Sequence, residues 1–98
     1  MQPRFGLADQ ADADLDGIVD YTVERHGLVQ ARTYVGELRG RIYDLLTDRS
    51  CARDIKGLDS DLLQIKYRHH FVIFRINGDV LRVSRILHER MDAAQQLR

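Results

Sequence analysis

The stretch "HHFVIFRINGDVLRVSRIL" (residues 69–87) decides how this chain folds. Its run "HFVIFRI" is apolar on both faces of an extended chain, the pattern of a central strand covered on two sides. "NGD" (77–79) follows, and Asn77-Gly78 is a strong signal for a type I′ hairpin turn, which needs positive φ at both central residues. "VLRVSRIL" (80–87) then runs back antiparallel. Just upstream, Leu63, Ile65 and Tyr67 alternate with Gln64, Lys66 and Arg68, as in a half-buried strand. Three consecutive strands joined by tight turns result.

Further back, "SCARDIKGLDSD" (50–61) mixes small, charged and glycine residues and reads as a loop. Before it, "LVQARTYVGELRGRIYDLLTDR" (28–49) carries Ala31, Val35, Leu38, Ile42 and Leu45 as one helical stripe. "DQADADLDGIVDYTVERHG" (9–27) is a second helix, with Ala11, Leu15, Ile18, Val19 and Thr22 on one face. Asp9 is its expected N-cap, and the aspartates that follow complement the positive end of the helix dipole, a reading preferred to metal binding. Gly27 is its stop. Gly17, Gly36 and Gly40 each cost about 1 kcal/mol against alanine inside a helix, and a close approach of the two helices would explain them. "PRFGLA" (3–8) gives a short first strand, and the tail "MDAAQQLR" (91–98) a last short helix. The expected fold is α+β in the order β-α-α-β-β-β, a helical hairpin packed on one face of a small, mostly antiparallel sheet. All 98 residues fall in one domain.

Composition narrows the chemistry. The chain is 44% hydrophobic and 31% charged, so it folds rather than staying disordered. Fifteen basic residues balance fifteen acidic ones, which gives no general attraction to nucleic acid. The distribution is uneven: aspartates crowd residues 9–20, while Lys66, Arg68, Arg75, Arg82, Arg85 and Arg90 make the last third basic. The single cysteine, Cys51, excludes an intramolecular disulfide and a cysteine-built zinc site. There is no stretch of about 20 apolar residues to span a membrane, and a cytoplasmic protein is expected.

Templates for catalysis are missing: no P-loop, no G-x-G-x-x-G, no G-x-S-x-G and no H-E-x-x-H. His69 and His70 would point to opposite faces of a strand, which suits a turn or strand-surface role better than metal ligation. No metal or cofactor is expected. A metal-free ribonuclease needs a base, an acid and cations, for which Arg68, Arg75, Arg82, Arg85 and His88 are available. Strand parity scatters them. Arg82 shares a face with Ser84, while Arg85 shares the other with Leu81, Val83 and Leu87. Without a bulge Arg85 therefore points at the helices and needs a carboxylate, Asp44 or Glu37.

Two stretches resemble the RelE/ParE toxin superfamily of bacterial toxin–antitoxin systems, and its ParE branch in particular. "ADADLDGIVDYTVERHGLVQARTYVGELRGRI" (11–42) looks like the first two helices. "HHFVIFRINGDVLRVSRILHERMD" (69–92) looks like the closing hairpin, with the ending R-[IV]-L-H-x-R-x-D matched by Arg85, Ile86, Leu87, His88, Arg90 and Asp92. The resemblance implies a cytoplasmic toxin that poisons DNA gyrase, without a hydrolytic site or cofactor. RelE-type relatives cleave messenger RNA on the ribosome using a tyrosine near the C-terminus. Here no tyrosine follows Ile86, which favours the gyrase branch. Leu62-Leu63 stand where the family often has an arginine. The expected target-binding set is Lys66, Arg68, Arg82, Arg85, His88, Arg90 and Met91, and residues 91–98 should be dispensable for folding. The implied partner is a ParD-like antitoxin in a hetero-oligomer, its C-terminal segment folded into a groove beside the helical hairpin. Direct nucleic-acid binding would come only through that antitoxin. The alternatives are a ribosome-dependent endoribonuclease and a non-toxic antitoxin-binding module.

Overall fold

The structure, a computed structural model, describes residues 4–97. Its elements are β1 (Arg4–Leu7), α1 (Asp9–His26), α2 (Leu28–Asp44), β2 (Arg53–Asp54), β3 (Leu63–Tyr67), β4 (His70–Asn77), β5 (Val80–His88) and α3 (Ala93–Gln96). The five strands form one mixed sheet in the order β1-β5-β4-β3-β2. β1 lies on an edge, parallel to β5, and the other pairings are antiparallel. The expected α+β architecture is therefore the observed one, with β2 added.

The helical hairpin covers one face of the sheet. Leu15 and Ile18 of α1 and Leu38, Ile42 and Leu45 of α2 and the turn after it pack on Ile65, Val72, Phe74, Leu81, Val83 and Ile86. Apart from Ile86, these are apolar positions that the two helical stripes and the strand alternation select. A second, smaller core lies on the other face. Ile55 and Leu62, from the segment around β2, meet Ile73 and Leu87, with Ala93 and Leu97 packed alongside. Segment 50–61 is thus more than a loop, because β2 extends the sheet and Ile55 is buried.

Several local expectations are corrected. Ala8, not Asp9, is the N-cap of α1; its N–H still bonds to the Val83 carbonyl, so strand pairing fixes where the helix begins. Asp9 and Asp12 sit in the first turn and still favour the dipole. α2 ends at Asp44, five residues short of the expected 49, in a series of turns. Asn77 pairs with Val80, so the hairpin loop is Gly78-Asp79. Only Gly78 has positive φ there, the pattern of a type II′ turn, not type I′. Cβ atoms added at Gly17, Gly36 or Gly40 would meet nothing within 4 Å, so these glycines do not serve close packing of α1 on α2. The strand alternation also breaks in β5. Ile73 pairs with Arg85 and Phe74 with Val83, leaving Ser84 as the extra residue of a bulge. Beyond the bulge Ile86 turns to the helix side and Leu87 to the second core.

Candidate functional site: a groove at the end of the sheet

β1 stops opposite Val83, so the edge of β5 beyond Val83 has no strand beside it. Asp14 of α1 covers the gap. Its carboxylate accepts from the Ile86 N–H (2.9 Å), from Arg85 Nε (2.8 Å) and from Arg85 Nη2 (3.1 Å). Arg85's carboxylate partner is Asp14, and neither Asp44 nor Glu37 plays that part; the bulge at Ser84 removes the parity on which that partner was expected. The bulge moves Arg85 to the sheet edge, next to the start of α1.

Past this clasp lies a groove of about 990 Å³. Its walls come from α1 (Gly17, Tyr21), the start of α2 (Gln30, Tyr34), the β3–β4 turn and the segment after β5 (Arg90, Met91). The turn is a tight two-residue loop of Arg68 and His69, since Tyr67 pairs with His70. Arg68 has φ 50°, and among the described residues it is the only non-glycine with positive φ. That region costs a side-chain-bearing residue about 1–2 kcal/mol. The guanidinium is held where it stands: Arg68 Nε donates to the Tyr67 hydroxyl (3.1 Å), Nη2 lies 3.4 Å from Glu37 Oε2, and Tyr67 in turn donates to Glu37.

Inside the groove is a polar cluster. The Tyr34 hydroxyl and His70 Nδ1 share a 2.7 Å hydrogen bond, and the His70 ring meets His88 edge-on with centroids 5.3 Å apart. Burial, helped by repulsion from His88 and His69, lowers the His70 pKa to about 4, so the ring is neutral near pH 7. Burial also raises the Tyr34 phenol above its usual value. On the rim Glu89 is hydrogen-bonded to His69 Nδ1 at 2.6 Å and to Lys66 Nζ at 3.2 Å, and these bonds hold its carboxyl below the usual range.

The seven residues anticipated as a target surface fall into separate places. Arg68, His88, Arg90 and Met91 line the groove. Lys66 is tied to Glu89 and Arg85 to Asp14. Arg82 is exposed opposite Arg75, between residues whose side chains enter the main core, so it faces the other side of the sheet. Tyr34 and His70 were missed as groove residues. Parity offered a signal for His70, which shares the helix-side face of β4 with Val72 and Phe74. Tyr34 looked like any core-edge aromatic. His69 and His70 hold the turn and strand positions anticipated, and no group of metal-ligating side chains occurs among the described residues.

The helical hairpin packed on a mixed sheet is an α+β fold shared with solved toxins of the RelE/ParE kind. The family model for the ParE toxin of the type II toxin–antitoxin system parDE matches residues 6–93, and the chain belongs to this family. It is 35% identical to Toxin ParE of Escherichia coli over 92 residues, 93% of this chain and 89% of that protein. Among solved structures, the chromosomal ParDE toxin–antitoxin system of P. aeruginosa superimposes with a TM-score of 0.73 at 20% identity, covering 90% of this chain and 96% of that one. The toxin–antitoxin complex RelBE2 of Mycobacterium tuberculosis gives 0.62 at 10% identity, covering 90% and 99%. No helix among the described residues is long and apolar enough to cross a membrane.

Proposed function

We propose that this toxin acts as a non-catalytic inhibitor of DNA gyrase in the cytoplasm, and that a ParD-like antitoxin neutralises it. The observation that carries this reading is that most cations at this end of the sheet are paired with carboxylates, Arg90 being the exception among the groove residues. A ribonuclease needs positive charge and a titrating base free to meet a phosphate. Here Arg85 serves Asp14, Arg68 serves Glu37, Lys66 serves Glu89, and His70 is neutral and bound to Tyr34. What the groove offers is shape, with exposed Arg90 and Met91 on its rim. Met91 is 48% exposed and provides an adaptable apolar contact. An antitoxin segment with one apolar face fits such a groove, as a peptide helix does in other helix-in-groove pairs.

The test is a gyrase supercoiling assay with purified, antitoxin-free protein, scoring lost supercoiling and trapped cleaved DNA. Inhibition near stoichiometric protein, relieved by antitoxin, is the expected result. A folded protein that leaves gyrase untouched while messenger RNA is cut during translation would replace this reading with the ribonuclease one.

A further inference from the structure

The helical hairpin has a second face, turned away from the sheet, that the groove does not use. Between the helices runs an apolar crevice of about 310 Å³ lined by Val19, Leu28, Ala31 and Val35, with Arg32 and Arg39 on its rim. Around it Val29 is 80% exposed, Leu28 53% and Val23 38%. Gly36 and Gly40 lie on the same helix, and space above both is open. Each weakens an isolated helix by about 1 kcal/mol, and nothing within the chain recovers that cost.

Charge on this face is segregated. Asp16 and Asp20 stand exposed on α1, and Arg32 and Arg39 exposed on α2. None of the four makes a salt bridge among the described residues. Counted from Gly27, Asp20 lies seven residues back and Arg32 five on, and Asp16 eleven back and Arg39 twelve on, so at about 1.5 Å per residue each pair falls within roughly 3 Å of one height. A two-fold axis parallel to the hairpin would lay α1 of one copy on α2 of another without changing those heights. Asp20 would then meet the second copy's Arg32 and Asp16 its Arg39, and the same contacts would repeat by symmetry. Val29, Val19 and the glycines would close the centre of a four-helix arrangement.

We infer that this face is a self-association surface, through which two copies of the toxin pair hairpin to hairpin. α1 has 18 residues and α2 has 17. A face about 27 Å long and about 20 Å wide buries roughly 500 Å² per copy. That is near the lower limit for a specific interface, so the dimer is weak, dissociating in roughly the micromolar range. The groove stays open on the other side of the hairpin, so pairing is independent of the gyrase reading.

Sedimentation equilibrium of the full-length, antitoxin-free chain across the micromolar range tests this. Monomer and dimer should exchange with concentration. The double reversal Arg32→Asp/Arg39→Asp should raise the dissociation constant about tenfold or more, and adding Asp16→Arg/Asp20→Arg should restore it. All four positions are exposed, and circular dichroism checks that the variants stay folded. A monomer at every concentration overturns the inference. So does a dimer indifferent to the reversals, which must form elsewhere. Loss of antitoxin binding in the reversed variants, with the chain monomeric throughout, would assign the face to the antitoxin instead.

Discussion

At Asp14 a single carboxylate accepts three hydrogen bonds, one from the backbone and two from a guanidinium. Its side chain is 12% exposed and that of Arg85 20%, so solvent screens the pair less than a surface ion pair. Asp14→Asn keeps the size and removes the charge. Arg85 then remains sheltered without its counter-ion, and one of the two Asp14 acceptor oxygens is replaced by a donor. The expected cost is about 1.5–3 kcal/mol, as for hydrogen bonds to charged groups. Urea denaturation should show a lower midpoint with an unchanged slope. A midpoint equal to that of the parent chain would mean that the clasp contributes nothing. The sequence tied a carboxylate for Arg85 to an unbroken strand and offered Asp44 or Glu37, neither of which is the partner. Two facts that alternation does not encode decide that: the bulge at Ser84, and the end of β1 opposite Val83. Asp14 itself was hidden in a run of aspartates that the helix dipole explains adequately.

Among the elements, the segment around β2 shows where periodicity stops being informative, whereas the short tail helix was expected and only its packing was not. The two long helices, β1 and the meander were legible because each shows an apolar stripe over several repeats. Ile55, Leu58 and Leu62 follow no fixed period, and β2 has only two residues. Yet they build the second core together with the tail. Asp92 caps α3 by accepting from the Gln95 N–H, Ala94 is 7% exposed, and Leu97 packs beside Ile73 and Leu87. Ala93, Ala94 and Leu97 are therefore part of the packing, against the expectation that residues 91–98 could be removed freely. Truncation after Asp92 would uncover the Ile73–Leu87 side of the sheet. From the lost burial and the gap it leaves, the cost is about 2–4 kcal/mol. The truncated chain should unfold at lower urea while the helical hairpin keeps its far-ultraviolet signal in water. An unchanged midpoint would return the tail to the role of a free end.

For the molecule as a whole, the groove is the joint between its two halves. Tyr34 comes from the helical hairpin, His70 and His88 from the meander, and the histidines meet across β4 and β5. The sequence grouped His88, Arg68, Arg90 and Met91, which line the groove at one end of the sheet, because they cluster where strands end. It could not show that His70 is enclosed, since enclosure depends on how the hairpin lies over that end. Enclosure has a measurable consequence. In the folded chain the His70 pKa is about 4, against an ordinary 6.5. Between those values the unfolded chain holds a proton that the folded chain lacks. Stability therefore rises with pH through this window and is lost as pH falls from about 6.5 towards 4. Glu89 acts in the same direction, but its carboxyl lies below the usual 4.5 and contributes mainly at the acid end. His70→Gln leaves a neutral partner for Tyr34 and removes the titration. Urea midpoints measured from pH 7 to pH 4 should fall steeply for the parent chain and less so for the variant. Two parallel curves would show that His70 takes up its proton without strain, and that the joint is open to water.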